Sequence, residues 1–289
     1  MPVTPNTHPD SAAPSVLNIS AYAFVALDGL PALRERIARR CEALRLKGTV
    51  LLAAEGINLF LAGAADAVRA MVAELRADAR FADLAPKESW SQAQPFRRLK
   101  VKIKREIITL NRPQVRPASS RRAPAVAPAT LQRWLAAGRD DEGRPVVMLD
   151  TRNAFERDLG GFDGCVDFRI RRFSDFAPAV ESQAERFNGQ TVVTYCTGGI
   201  RCEKAALLMQ DAGFERVYQL DGGILKYFEQ VGVAHYSGGC FVFDEREVLD
   251  AGLAPQAMPA PCAAGEAASP RDEARGEPCR TAEALPRAA

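Results

Sequence analysis

The chain has 289 residues, 47% of them apolar, and its 38 basic and 36 acidic side chains leave a formal charge of +2. A chain of this length and apolar content buries two modest cores more readily than one large core. No apolar stretch approaches the roughly 18 residues of a membrane span, so we predict no membrane association.

The cysteines and the amino-terminal residues indicate the compartment. Seven cysteines at irregular spacing do not predict a disulfide framework in a chain this long. Residues 1–15 are rich in proline and threonine and lack the basic and apolar regions of a secretory signal. We therefore expect a disordered leader over residues 1–15 and a location in the reducing cytoplasm.

Residues 16–111 show the alternation of a small α+β domain. The predicted order is strand, helix, two strands, helix, strand, which is the split βαβ arrangement of a ferredoxin-like, or acylphosphatase-like, sandwich. A weaker extended segment precedes the last strand. In chain order, the predicted elements are Val16–Phe24, Leu30–Leu44, Gly48–Ala54, Leu59–Ala62, Ala65–Leu75, Pro86–Trp90 and Leu99–Ile108.

The last predicted strand of this domain carries a run of basic residues. Its lysines alternate with Val101 and Ile103, so the ammonium groups share one face while the aliphatic side chains face the core. Like charges side by side repel, and contact with phosphate groups relieves that cost, although basic runs are also common on solvated faces. We predict an RNA-binding surface formed by Arg97, Arg98, Lys100, Lys102, Lys104 and Arg105.

A linker separates this domain from a second one. Residues 112–128 are rich in proline and arginine, which predicts a basic, semi-extended segment. Thr130 is then expected to cap a short helix, Leu131–Ala137, that ends at a glycine. Strands and helices alternate over residues 129–250, which predicts a parallel sheet with an active site at the carboxyl ends of its strands. Residues 251–289 lack periodicity, and we predict a disordered tail.

The candidate nucleophile of the second domain is Cys196, which follows the apolar run Thr191–Tyr195. Two glycines after it allow several backbone N–H groups to converge on the sulfur, and the following helix start adds positive potential, so a thiolate is stabilised. The alternative, a cysteine buried as a small hydrophobe, fits Cys41, Cys165 and Cys202 better. The predicted active-site loop consists of Thr197, Gly198, Gly199, Ile200 and Arg201.

The spacing of Cys196 and Arg201 distinguishes this loop from two other cysteine chemistries. Cysteine-dependent phosphatases wrap a phosphate with a C-x5-R loop, and this C-x4-R loop is one residue too short. A Cys-His protease is also disfavoured, because the only histidines are His8 in the leader and His235. The loop backbone and nearby charge must therefore activate the thiolate.

The same loop resembles that of rhodanese-type domains, and two flanking segments agree with it. Residues 146–156 resemble the rhodanese strand and turn in which an Asp and an Arg brace the active-site region. These residues are Asp150 and Arg152 here, with a surface ion pair as the alternative interpretation. Residues 217–224 resemble the last rhodanese strand and its closing turn.

Over residues 16–250 the chain resembles the rhodanese-domain tRNA uridine hydroxylases, which install 5-hydroxyuridine at the wobble position. The resemblance implies an α/β fold in which a ferredoxin-like α+β sandwich precedes a rhodanese-like domain. It also implies Cys196 as the catalytic cysteine, tRNA as the partner and dioxygen as the oxygen source. The resemblance rests on residues 47–58, 95–102, 104–108, 196–205, 220–227 and 239–244.

The chain departs from that family at three places. Leu59 and Phe60 stand where the family usually has small residues, and Gly161 stands where it commonly has histidine. Many members also end in a cysteine-rich segment that could hold a metal, whereas Cys262 and Cys279 stand alone here. We therefore predict no metal site.

Three functions remain open from the residues. A sulfurtransferase would carry a persulfide on Cys196, and a catalytically idle module would bind RNA and keep this cysteine only for packing. The lysine strand and the thiol loop together favour chemistry on RNA, in which the thiolate adds to C6 of uracil while Arg201 offsets the developing charge. The sequence shows no motif for a flavin, haem or metal cofactor and no identifiable protein partner. Cys202 either packs the helix start or pairs with Cys196 in a redox step.

Overall fold

The computed structural model describes residues 15–117 and 122–256. These residues form two α/β units, each built on a five-stranded sheet. Within these two ranges, no helix has both the length and the apolar character needed to cross a membrane. The predicted leader, four linker residues and most of the predicted tail fall on 1–14, 118–121 and 257–289, which lie outside the described residues.

The first domain is a ferredoxin-like sandwich, as predicted. Its elements are β1 (Val16–Phe24), α1 (Leu30–Ala43), β2 (Lys47–Ala53), β3 (Gly56–Gly63), α2 (Ala65–Arg76), β4 (Lys87–Ser91) and β5 (Leu99–Ile103). The strand order is β4-β1-β3-β2-β5, and α1 and α2 pack on one face of the sheet. The core between them contains Leu17, Ile37, Val50 and Met71, each at most 2% exposed.

The prediction of one long last strand over Leu99–Ile108 is wrong. The fourth strand of the ferredoxin arrangement is β4, which pairs antiparallel with β1, and β5 is an additional edge strand parallel to β2. The backbone then leaves the sheet, and the Ile107 N–H donates to a carboxylate oxygen of Glu55 at 2.8 Å. The recurring aliphatic residues of 99–108 concealed this change, while the polar strand β4 carried only a weak signal.

The face of this sheet opposite α1 and α2 points toward the second domain. Side chains alternate along β2, so Val50 enters the core while Thr49 and Leu51 line a cleft. In β5, Val101 packs against the core as predicted. Ile103, the last residue of that edge strand, is instead 42% exposed, so the predicted aliphatic face holds only for the first part of the strand.

The second domain has the predicted rhodanese-like architecture. Its elements are β6 (Ala125–Val126), α3 (Pro128–Ala137), β7 (Val146–Asp150), α4 (Ala154–Leu159), β8 (Gly160–Phe162), β9 (Val166–Asp167), α5 (Phe176–Glu181), β10 (Thr191–Tyr195), α6 (Ile200–Asp211), β11 (Val217–Leu220), α7 (Gly223–Val231), β12 (Tyr236–Gly238), β13 (Cys240–Phe241) and β14 (Val248–Leu249). Five strands form a parallel sheet in the order β6-β11-β10-β7-β9. Two antiparallel pairs, β8 with β12 and β13 with β14, complete the domain.

Helix α3 begins earlier than predicted. It starts at Pro128, whose restricted backbone suits a first helical turn, so Thr130 lies inside the helix and does not cap it. Its end is as predicted, because Gly138 has a φ of 68°, in the left-handed region that terminates helices.

The predicted tail boundary at residue 250 also differs from the structure. Residues 251–256 turn back onto β14, where the Gln256 N–H donates to the Val248 carbonyl oxygen at 2.9 Å. Pro255 forms a further bridge with Leu249. The chain therefore remains part of the second domain up to residue 256.

A buried lysine joins the two domains. Lys204, in α6, is 1% exposed, and its ammonium group donates to Glu55 at 2.9 Å and to Glu106 at 2.6 Å. It also donates to the Ile108 carbonyl oxygen at 3.0 Å. Because a buried ammonium group is stable only when it is paired and hydrogen-bonded, these acceptors fix α6 against the first domain.

Candidate active site

A cleft of about 1210 Å³ lies between the open sheet face of the first domain and the loop that contains Cys196. The first domain contributes side chains of β1, β2 and β3, and the second contributes the loop and the start of α6. Small-molecule pockets usually measure roughly 300–1,000 Å³. This cleft is large enough to hold a base together with part of its neighbouring nucleotides.

Cys196 directly follows β10, at the carboxyl end of the parallel sheet. The residue forms part of the cleft wall, although its side chain has no solvent-exposed surface. The Gly199 N–H donates to the Cys196 sulfur at 3.1 Å. Gly199 can point this group inward because its φ is 99°, in the left-handed region that favours glycine. The backbone thus converges on the sulfur as the two glycines predicted.

The surroundings of Cys196 lower its pKa to about 5. Burial alone raises the pKa of a thiol, because it disfavours the charged form. A hydrogen bond from Cys202, the charge of Arg201 and the backbone N–H groups of Arg201 and Gly199 together outweigh that effect. At neutral pH the sulfur is therefore a thiolate, which is the nucleophilic form.

Arg201 is held by a residue that the sequence analysis did not identify. Its two terminal nitrogens donate to the Glu156 carboxylate at 2.6 and 2.8 Å, and both side chains are buried. Glu156 lies in the first turn of α4, where its carboxylate also accepts a hydrogen bond from the Asn153 N–H at 3.0 Å. The N-x-x-E spacing could have indicated that helix start, but only the fold brings the carboxylate to Arg201. Arg201 acts on the sulfur through its charge and its backbone N–H.

Asp150 and Arg152 form a completely buried ion pair, so the surface interpretation is wrong. The Arg152 guanidinium donates to Asp150 at 2.7 Å and to the Gly160 carbonyl oxygen at 2.6 Å. It also lies over the Tyr195 ring, 5.4 Å from the centroid. Between them, Thr151 donates from its N–H and its hydroxyl to the Tyr195 carbonyl oxygen. These contacts fix the end of β10, from which the active-site loop begins.

Cys202 lies in the first turn of α6 and has no exposed surface. Its thiol hydrogen-bonds to the Cys196 sulfur and contacts the Thr151 hydroxyl at 3.8 Å. Burial, followed by the interaction with Cys196, raises the pKa of Cys202 well above its usual range. Cys202 therefore stays protonated and acts as a donor to the thiolate in addition to packing the helix start.

The basic strand β5 borders the cleft. Lys100 pairs in register with Thr49, and Lys102 pairs with Leu51, and both partners line the cleft. Because residues paired in register share a sheet face, the two lysines project from the cleft side of the sheet. Arg97 remains 83% exposed while it contacts Glu245 of the second domain at 2.8 Å. The remaining predicted RNA-binding residues are exposed along the same segment: Arg98, Lys104 and Arg105.

Two phenylalanines, one from each domain, meet in the cleft. The ring centroids of Phe60 and Phe243 lie 6.2 Å apart, and Phe243 is 42% exposed. The Arg201 guanidinium lies 5.9 Å from the Phe243 ring centroid. Exposed aromatic rings in a basic groove are surfaces on which unstacked bases bind. In the sequence, Phe60 is marked only as a departure from the family pattern, and no motif marks Phe243 as a functional residue.

The other two departures concern a glycine and a metal site. A Cβ atom at Gly161 would lie 2.8 Å from Cδ of Arg157, so the arginine occupies the space into which a larger residue would extend. In the part of the chain that the structure describes, no group of three or more His, Cys, Asp or Glu side chains could hold a metal ion. Cys262 and Cys279 lie outside that part, so the absence of a metal site stays a prediction.

Two family models match the chain. The UPF0176 acylphosphatase like domain matches residues 16–107, and the Rhodanese-like domain matches residues 131–230. The first match covers the ferredoxin-like sandwich, and the second covers the parallel sheet with the Cys196 loop. The fold predicted from the sequence is therefore confirmed for both domains.

Curated relatives match this chain over nearly their whole length. The tRNA uridine(34) hydroxylase of Variovorax paradoxus is 60% identical over 251 residues, which cover 87% of this chain and 95% of the relative. The protein of the same name from Bordetella petrii is 61% identical, and the match covers 84% of this chain and 96% of the relative. The protein of the same name from Thiobacillus denitrificans is 59% identical, and the match covers 83% of this chain and 97% of the relative. Identity at this level over both domains shows that the chain belongs to the tRNA uridine(34) hydroxylase family.

Proposed function

We propose that this enzyme hydroxylates uridine 34 of tRNA, the wobble position, to 5-hydroxyuridine. The observation that carries the proposal is the Cys196 thiolate, which the loop backbone stabilises at the wall of a cleft lined by both domains. Family membership supports the substrate and the reaction, because relatives about 60% identical carry that name.

The thiolate is suited to attack an electron-poor ring carbon. When Cys196 adds to C6 of uracil, electron density moves to C5, which becomes an enolate-like carbon able to react with an oxygen source. We propose dioxygen as the co-substrate: one of its atoms enters at C5, and two electrons from a small-molecule reductant such as a thiol, together with two protons, release the other atom as water. The charge of Arg201, already close to the sulfur, offsets the negative charge that develops on the ring.

The position of Cys196 requires the base to leave its stack, because the sulfur has no exposed surface. Phe243 and Phe60 supply ring faces on which the turned base or its neighbour can stack. The basic segment 97–105 at the edge of the cleft can bind the phosphates on either side. A tRNA substrate also supports a cytoplasmic location, which we propose on that ground alone.

The sulfurtransferase alternative would use the same thiolate to carry a persulfide. The names of the relatives do not favour it. A small sulfur donor also needs neither the large cleft nor the basic strand at its edge, whereas a folded RNA needs both.

Nucleoside mass spectrometry of tRNA from cells that lack this chain tests the proposal. We expect 5-hydroxyuridine to disappear, to return with the wild-type chain and to stay absent with Cys196→Ser. A purified reaction under ¹⁸O-labelled dioxygen should place the heavy isotope in the product. Loss of a thiolated nucleoside with 5-hydroxyuridine intact would support the sulfurtransferase and contradict the proposed function.

A further inference from the structure

We infer that Glu203 is the base that removes the C5 proton of the bound uracil, and that Tyr22, from the other domain, positions its carboxylate. The inference rests on the proposed function and extends it by one step. Once C6 carries the Cys196 sulfur and C5 carries oxygen, the C5–H bond must break to restore the double bond of the ring. A base in the cleft must accept this proton, and a carboxylate is a group that can do so.

The two side chains meet at the loop that holds Cys196. Glu203 lies in the first turn of α6 and lines the cleft, as does Tyr22 of β1. The Tyr22 hydroxyl donates to Oε1 of Glu203 at 3.0 Å. A Cβ atom built on Gly199 would lie 3.0 Å from that hydroxyl, so the pair packs directly against the active-site loop.

The other carboxylates near the loop are engaged by cations. Glu156 is bound bidentately by Arg201, and Asp150 is bound by Arg152. Asp221, which also lines the cleft, is paired with Lys226. The hydrogen-bond partner of Glu203 is instead a neutral hydroxyl group, which leaves the carboxylate basic enough to accept a proton.

The electrostatic environment supports the same role. Burial raises the pKa of Glu203 and outweighs the hydrogen bond from Tyr22 and the charge of Arg122, which lower it, while the negative charge of Cys196 makes the smallest contribution and raises it further. A carboxyl group whose pKa moves toward neutrality is a more effective general base than an ordinary glutamate. Burial also raises the pKa of Tyr22, so its hydroxyl remains a donor.

The proposed step is balanced without an additional reagent. Glu203 takes the C5 proton, and the electron pair of the C5–H bond forms the C5=C6 double bond. The C6–S bond breaks, and its electron pair returns to the sulfur as the Cys196 thiolate. Glu203 then releases the proton to water in the cleft, and 5-hydroxyuridine can leave.

Glu203→Gln tests this step, because glutamine keeps the shape and the hydrogen bond with Tyr22 but cannot accept the proton. Product formation on a tRNA transcript should fall at least about 100-fold. A denaturation-resistant protein–tRNA adduct should accumulate, since the C6–S bond then persists. It should require both dioxygen and Cys196. Glu185→Gln, at an exposed glutamate, is the matched control and should behave like the wild type.

Tyr22→Phe provides a second variant that keeps Glu203 itself. Tyr22→Phe loses a hydrogen bond to the Glu203 carboxylate. If that bond contributes about 1.4 kcal/mol to the transition state, product formation should fall about tenfold. The adduct should be detectable but less abundant than with Glu203→Gln. A tRNA carrying deuterium at C5 of uridine 34 should lengthen the lifetime of the adduct in both variants, an effect that a purely structural role would not produce.

The outcomes separate the inference from the proposed function. If the wild-type chain forms no 5-hydroxyuridine, the proposed function is wrong and the inference with it. If the wild type is active and Glu203→Gln keeps its product within about twofold, the inference alone is overturned. It is equally overturned if Glu203→Gln loses product without accumulating adduct, or if the adduct decays at the same rate with deuterium as with hydrogen.

Discussion

Cys41 and Cys196 are both without exposed surface, yet their acidities differ widely. Cys41 lies in α1 among the aliphatic side chains of the first core, and Cys196 lies beside the cleft at the end of β10. Burial raises the pKa of Cys41 to about 12. The pKa of Cys196 is lowered to about 5, although the same burial acts on it.

The difference comes from the groups that face each sulfur. Around Cys41, the carboxylates of Glu74 and Glu42 add to the effect of burial. Around Cys196, a thiol donor, a guanidinium group and two backbone N–H groups oppose it. A buried thiolate is stable only where such donors are already in place, so the loop and not the burial makes this cysteine reactive.

The largest expected effect is a loss of activity when Cys196 is replaced, with activity retained when Cys41 is replaced. Cys196→Ser should reduce 5-hydroxyuridine formation to the background of the assay while tRNA binding survives, because the change removes the nucleophile but not the basic surface. Cys41→Ser should retain activity and lose stability, because it places a hydroxyl group in an apolar core. Nucleoside mass spectrometry and filter binding measure the two properties. Equal activity of the two variants would contradict the assignment of Cys196 as the nucleophile.

The second prediction concerns the charge that holds the thiolate. Glu156→Ala leaves the Arg201 guanidinium buried without its bidentate partner, which should lower the free energy of unfolding by about 3–5 kcal/mol. Glu185→Ala, at an exposed position, should change it by less than about 0.5 kcal/mol. Urea titration compares the two variants. Similar midpoints would mean that the buried pair does not stabilise this site.

A third change, at the lysines of β5, should weaken tRNA binding without altering the difference in reactivity between Cys41 and Cys196. Replacing Lys100, Lys102 and Lys104 with Gln should reduce the slope of log affinity for tRNA against log salt by up to about one unit for each lost contact. The reactivity of Cys196 should not change, because these lysines position RNA and do not contact the sulfur. Filter binding over a salt series measures the slope, and alkylation rates measure the reactivity of Cys196.

The matched control for the lysines lies on α1, which covers the sheet face away from the cleft. Arg34, Arg36 and Arg39 are exposed there, and their replacement with Gln removes the same number of charges. The salt slope of this control should stay near that of the wild type. A slope that falls equally in both variants, or in neither, would identify β5 as a solvated face.

The smallest expected effect is a shift in the pKa of Cys196, which is measured by its rate of alkylation at different pH values. Alkylation of Cys196 by iodoacetamide should increase as the pH rises through about 5 and then level off, because the thiolate fraction is complete above that pKa. Cys41 and Cys240, with pKa values raised to about 12, should stay slow up to about pH 9.

Cys202→Ala removes a donor worth about 1.5 kcal/mol, so it should move the Cys196 midpoint up by about one pH unit. Cys202→Ser keeps a donor and should move it less. Peptide mapping across pH resolves each cysteine. Loss of product as complete in Cys202→Ala as in Cys196→Ser, without a change in midpoint, would favour a redox pairing of the two cysteines.

The sequence by itself determined the features that depend on neighbours in the chain. The strand, the two glycines and the helix start around residues 191–202 predicted the Cys196 loop, because strand, turn and helix propensities act over a few residues. Gly138 marked the end of α3 for the same reason. The order of helical and strand periodicities was enough to predict both domains. It failed in choosing Leu99–Ile108 as the fourth strand of the sandwich, because the weak extended segment predicted at Pro86–Trp90 is that strand, β4, a short polar edge strand paired with β1.

Only the tertiary structure decided which distant groups surround the sulfur. Glu156 reaches Arg201 across 45 residues of chain, and Tyr22 reaches Glu203 across 181. Neither pair has a local signal, because a carboxylate or a hydroxyl on a helix or strand looks the same in sequence whether it faces solvent or a buried partner. The register of β5 on β2 likewise placed the lysines beside the cleft, since strand pairing is specified by long-range packing and not by the strand's own residues.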